Sequence, residues 1–173
     1  MNTINNQRGV GLVEVLVALL VLAIGVLGFI ALQYRAVEAT SEAINRVQAI
    51  NIARDMAERI RVNREALGTY KTEIQTADKQ TSFATNCIES TCSTIALADF
   101  DVSQVVTKAS DLGMSMNMQL CPLNEDGRNC IYVAWGETSA TDGNGAGDCT
   151  NTNEIEGSTS YSNTSTCVIM ETY

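Results

Sequence analysis

The chain has 173 residues, 45% hydrophobic and 18% charged, with a formal net charge of −9, no His and six Cys. That length supports one modest core, and the acidic balance argues against general binding to phosphate backbones. With no His and no clustered Cys-x-x-Cys pairs, the usual zinc ligand sets are absent, so neither metal nor cofactor is expected.

The charge is uneven. Beyond Leu67 four Lys/Arg face fourteen Asp/Glu, a net of −10, whereas Val10–Leu67 carries six of each. All six Cys also lie beyond Leu67. An even count downstream of a membrane-inserting segment reads as disulfides in an oxidising compartment.

In chain order, the first element is the apolar run "QRGVGLVEVLVALLVLAIGVLGFIAL" at residues 7–32. Val15 to Leu32 has no charged or strongly polar side chain, which is long enough for a spanning helix. A cleaved secretory signal would have a shorter apolar core followed by a small-residue site, and Phe29 to Tyr34 offers none. Glu14 is the anomaly, because an ionised acid in hydrocarbon costs a few kcal/mol, about 3 on insertion scales. Read alone, it is either a functional group or a carboxylate snorkelling to the interface.

Arg8-Gly9-Val10-Gly11-Leu12-Val13-Glu14 resembles the type III signal of type IV pilins and pseudopilins: a short leader ending in Gly, Glu at the fifth mature position, and an uninterrupted apolar run. The resemblance implies that a membrane-embedded prepilin peptidase cuts between Gly9 and Val10 and that the new amine of Val10 is N-methylated. Val10 departs from the Phe usual at that position. It further implies that Glu14 pairs with the N-terminal amine of a neighbouring subunit, which would neutralise the acid and set axial register between apolar helices.

Gly25 and Gly28 interrupt the membrane half, each costing up to about 1 kcal/mol of helicity relative to Ala. They are read either as sites of close helix approach or local melting, or as glycines ordinary in membrane helices. Past Gln33 the pattern becomes amphipathic through Val37, Ile44, Val47, Ala53, Met56, Ile60 and Leu67. A continuous helix from Val10 to Leu67 is expected, on the order of 85 Å at 1.5 Å per residue, with Gly68 as its stop. Its last turns, "ARDMAERIRVNREALGTY", read as a solvated face with ion pairs such as Asp55 with Arg59. The wording is also similar to the stalk-to-head junction of PilV-type minor pilins, the type IV pilus modification proteins.

Thr69 to Phe83 is polar and reads as a surface connection. "CIESTC" follows, with Cys87 and Cys92 near enough to bridge locally. Asp101 three residues ahead of Gln104 suggests a capping box opening a short helix that ends at Gly113. "MSMNMQL" and "CIYVAW" alternate as strands around "PLNEDGRN", whose Asp126-Gly127 has turn chemistry, giving a hairpin that Cys121 and Cys130 would staple. The Met alternation is read as core, not as a metal stripe. Residues 138–166 form a Gly/Ser/Thr/Asn loop, closed by Cys149 and Cys167, before a last strand "CVIMETY". Within it Asp142, Asn144 and Asp148 have calcium-loop-like spacing, but no distal bidentate Glu follows, which leaves a weak calcium candidate beside a plain turn. Asn163-Thr164-Ser165 matches a glycosylation sequon. The favoured disulfide linkage is sequential, one of fifteen arrangements.

These readings give an α+β chain with the type IV pilin fold, a long N-terminal helix packed on a small antiparallel head. Its parts are a leader (1–9), a transmembrane or filament-core half (10–33), an amphipathic half (34–67) and a disulfide-bearing head (68–173). The resemblance implies a non-enzymatic minor pilin with no cofactor, held in the inner membrane with a periplasmic head before entering the extracellular pilus. Its implied partners are other minor and major pilins, the prepilin peptidase and the inner-membrane assembly platform. A type II secretion pseudopilin shares the same leader. A tethered periplasmic enzyme is disfavoured, since there is no His base, no flanked Ser or Cys nucleophile and no paired-carboxylate motif. The sparse aromatics, 5%, do not advertise a sugar-stacking platform.

Overall fold

A computed structural model describes residues 11–122, 126–155 and 158–172. The chain divides into two compact units, one ending at Ala43 and the other running from Ile44 to Tyr173. Helix α1, Leu12–Val62, contributes its first part to the former and its last part to the latter. In the first unit every described residue is exposed, including the whole apolar stretch. No residue type there gives the helix a buried face, as expected of a segment whose solvent is lipid or other helices.

In the second unit the amphipathic pattern takes hold at Ala49. Ala49, Ile52, Ala53, Met56 and Ile60 are buried at spacings of three and four. Val37, Ile44 and Val47 carry the same periodicity but stay exposed, so only the later turns of the stalk are covered by this chain itself.

The expected helix to Leu67 is corrected. The α-helix ends at Val62; a 3-10 turn, Arg64–Ala66, follows, and a second helix α2 runs over Leu67–Gln75. Gly68 is therefore inside a helix and stops nothing. The break falls at Asn63, whose backbone leaves helical geometry (φ −118°, ψ 52°) while its side chain donates to Thr94 O at 2.7 Å. Nor is Thr69 to Phe83 simply a surface connection, since Tyr70 and Ile74 of α2 are fully buried.

Helix α3 spans Thr94–Asp111, eight residues longer at its start than the capping-box reading placed it. Ser93 is the N-cap, its Oγ accepting from Ala96 N at 3.3 Å, and Asp101 lies mid-helix. The helix does terminate before Gly113, at φ +69°, a conformation that glycine adopts without steric cost.

Strands β1 (Met114–Leu120), β2 (Asn129–Trp135) and β5 (Cys167–Thr172) form an antiparallel sheet ordered β1-β2-β5. Met114, Met116 and Met118 face the helices with Ile131, Val133 and Trp135, joining Val102, Val105 and Ala109 of α3 in the main core. The opposite face is buried too. Tyr132 and Ala134 pack with Ala140, Cys149 and Cys167 beneath the loop that follows, making β2 a central strand covered on both sides. That loop contains a hairpin the composition did not suggest, β3 (Thr150–Ile155) and β4 (Ser158–Tyr161).

Both edges of the sheet meet side chains. Gln75 donates to Met118 O at 2.7 Å and Gln80 to Met116 O at 3.3 Å on β1, while Ile169 N of β5 donates to the Tyr161 hydroxyl at 3.2 Å. Such contacts occupy backbone groups that would otherwise template pairing with another chain.

Candidate functional site

Glu14 lies in the first turn of α1, its backbone N–H donating to Gly11 O at 2.9 Å. Around it Leu12, Val13, Val15, Leu16 and Val17 are 48–78% exposed. The acid thus sits on an entirely apolar, uncovered helical surface. Gly9 and Val10 lie outside the described residues. The helix runs unbroken through Gly25 and Gly28, and a Cβ at either would meet nothing within 4 Å, leaving two shallow notches in the apolar face.

Where the stalk meets the head, a partly buried polar network joins three helices. Arg59 Nε donates to Asp55 Oδ1 at 2.9 Å, one turn away, and its Nη1 donates to Asp101 Oδ1 on α3 at 2.6 Å. The Tyr70 hydroxyl on α2 donates to Asp101 Oδ2 at 2.6 Å, and Asn63 Nδ2 reaches the same hydroxyl at 3.5 Å. Burial and the bond to Asp101 push the Tyr70 phenol well above its ordinary value. Burial alone would lower Arg59, but the Asp55 and Asp101 carboxylates outweigh it and raise it. The exposed part of the motif is of the ordinary kind, Arg61 with Glu58 at 3.8 Å on the solvent side.

Sequence reasoning found the Asp55–Arg59 pair but assigned Asp101 to a helix cap. The signal it passed over is positional: Asp101 falls among Ala98, Val102, Val105 and Ala109, on the apolar face of α3, where an acid demands buried partners.

The Cys residues are bonded Cys87–Cys92, Cys121–Cys130 and Cys149–Cys167. In the 138–149 loop the candidate calcium ligands are engaged otherwise. Asp148 accepts from the Thr141 hydroxyl and from Gly145 N at 2.8 Å, and these bonds hold its carboxyl below the usual range. Asp142 accepts from the Thr150 hydroxyl, and among the described residues no three acidic, Cys or His side chains converge as a metal site. Nearby, the Tyr132 hydroxyl is fully buried with no hydrogen-bond partner among the described residues.

The N-terminal segment matches the model of the prokaryotic N-terminal methylation motif over residues 4–30, and the following segment matches that of the type IV pilin Tt1218 family over residues 31–103. The chain is a type IV pilin. No curated protein and no solved structure matches it. The second match covers the covered end of the stalk, α2, the Cys87–Cys92 loop and the first half of α3, and so contains every residue of the polar network. The pilin family is structural, which accords with a chain whose polar network joins helices to one another. The pilin's β-sheet and its last two disulfides fall beyond the matched residues.

Proposed function

We propose that this pilin is a minor subunit of a type IV pilus, of the PilV type, that helps prime fibre assembly and supports adhesion, twitching or DNA uptake. The observation that carries the reading is the coincidence of Gly9 and Val10 ahead of a helix, and Glu14 in its first turn, with the apolar stretch of that helix wholly uncovered. Cleavage after Gly9 frees an amine on Val10, and that amine is the partner Glu14 requires. Two unit charges about 4 Å apart at an effective dielectric near 20 attract by roughly 4 kcal/mol. That is comparable with the roughly 3 kcal/mol needed to hold an acid in hydrocarbon, so packing into a fibre is what makes Glu14 tolerable. Before assembly the chain is a single-pass inner-membrane protein with a periplasmic head, served by the prepilin peptidase and the assembly platform. The "DMAERIRVNR" stretch supports the minor-pilin assignment.

Mass measurement of the mature chain tests the processing: loss of Met1–Gly9 with gain of one methyl group is expected. Incorporation is tested by Glu14→Leu, which should remove the chain from sheared filaments. Ordinary abundance there would overturn the reading. The leader equally fits a type II secretion pseudopilin; deletion of the gene would then abolish exoprotein secretion and leave surface fibres intact.

A further inference from the structure

Between α2 and the first turns of α3 lies an open groove of about 650 Å³ lined by Thr69, Glu73, Lys79, Phe83, Ile95 and Asp99. Its wall is partly apolar. Phe83 stacks edge-on against Phe100 at 5.1 Å yet remains 43% exposed, and Ile95 is 63% exposed. Next to Ile95 in the chain, the carbonyl of Ala96 lies 3.6 Å from Cys87 Sγ, which brings the Cys87–Cys92 loop alongside. In that loop Ile88 is 80% exposed, its N–H fixed to Asn86 Oδ1 at 3.1 Å. The groove's charges are Glu73, paired with Lys79 at 3.1 Å, and Asp99, which accepts from Ala84 N at 2.8 Å, so it is net acidic. Exposed apolar side chains grouped in this way mark a protein contact.

Charge indicates what fits there. Two heads, each −10 beyond Leu67, repel when packed side by side. Residues 44–67 carry five Arg against three acids and form a net-basic stretch. Its exposed face runs Val47, Arg54, Glu58, Arg61, Val62, with Val47 58% and Val62 86% exposed. Arg54 and Arg61 lie two turns apart, about 10 Å. This is an aliphatic stripe with cations, complementary to an apolar groove with acids.

We propose that the groove of one copy receives the Val47–Val62 stripe of a second copy. The inference rests on the pilin reading and specifies one contact within it. Because groove and stripe are different surfaces, the contact is heterologous, joining two copies head to tail rather than as a two-fold pair.

The test places a benzoylphenylalanine photo-crosslinker at Ile95 of the full-length chain in cells making pili, followed by peptide mapping of sheared filaments. The expected adduct joins Ile95 of one copy to residues 47–62 of another. Arg54→Glu with Arg61→Glu should lower its yield about tenfold, equivalent to about 1.4 kcal/mol. Val62→Ser, which changes no charge, should lower it as well, and the same probe at Leu120, 55% exposed on β1, should give no such adduct. If the chain is present in filaments but the Ile95 adduct lands on another protein, or on another part of this one, the proposal fails and the pilin reading stands. Unchanged yield in both the charge and the Val62→Ser variants also defeats it. Absence of the chain from filaments removes both.

Discussion

Asp101 lies mid-helix on the apolar face of α3, and removing its charge measures how strongly the stalk is locked to the head. Its two oxygens take Arg59 and Tyr70, both at 2.6 Å. Tyr70→Phe deletes one hydrogen bond to an ionised acceptor and should cost about 1.5–3 kcal/mol. Asp101→Ala removes both bonds and leaves the fully buried Tyr70 hydroxyl without its carboxylate. Breaking a buried pair costs about 3–5 kcal/mol, and the low end applies because the Arg59 side chain is 35% exposed and retains Asp55. About 3 kcal/mol is therefore expected for Asp101→Ala, and about 1 kcal/mol less for Asp101→Asn, which preserves shape and one acceptor. Urea unfolding of the full chain in detergent, followed by Trp135 fluorescence, provides the stabilities. The double variant Tyr70→Phe with Asp101→Ala should be less damaging than the sum of its parts by about 1–2 kcal/mol. A coupling under about 0.3 kcal/mol would show that the network is geometry without energy.

Alkaline stability should reflect two buried phenols. Tyr70 is raised by burial and Asp101, Tyr132 by burial and then by Asp142 and Tyr161. Unfolded tyrosines lose their protons near pH 10 while the folded ones keep theirs, so above that pH the unfolded state binds fewer protons and stability falls. The slope is about 3 kcal/mol per pH unit for the pair, and Tyr132→Phe should halve it in pH-dependent urea titrations. For the disulfides, loop-closure entropy predicts a loss of about 3 kcal/mol for Cys149→Ser with Cys167→Ser, which close 18 residues, against about 2 for Cys87→Ser with Cys92→Ser, which close 5. Thermal melts would rank them. Gly143→Ala should open the 138–149 loop to limited proteolysis, because its Cβ would collide with the Asp148 carboxylate. Gly145→Ala should do so less, its Cβ meeting Asp148 Oδ2 at 3.0 Å.

The elements legible in the sequence were those that local pattern determines: the apolar helix, the alternating Met strand with its partner, the last strand and the glycine after α3. What escaped depends on distant partners. The end of α1 is set by Asn63 reaching Thr94, 31 residues away, and no local signal announces it. Asp101 carries the chemistry of a cap and serves as a buried acid because Arg59 and Tyr70 arrive from other helices. The β3–β4 hairpin is built from Thr, Asn and Ser, whose composition speaks for loops. Of the candidate site, Glu14 was conspicuous because a charge within an apolar run needs a reason. The groove beside Ile95 was not, since its walls come from three separate segments.

All three sulfur bridges close between Cys87 and Cys167, and none reaches back to the stalk. Any pull along α1 is therefore resisted, beyond the main chain itself, at the Arg59–Asp101 pair and the apolar seam around Met56 and not by disulfides. Reducing agent should leave the force that peels the stalk free unchanged, and Arg59→Gln should lower it.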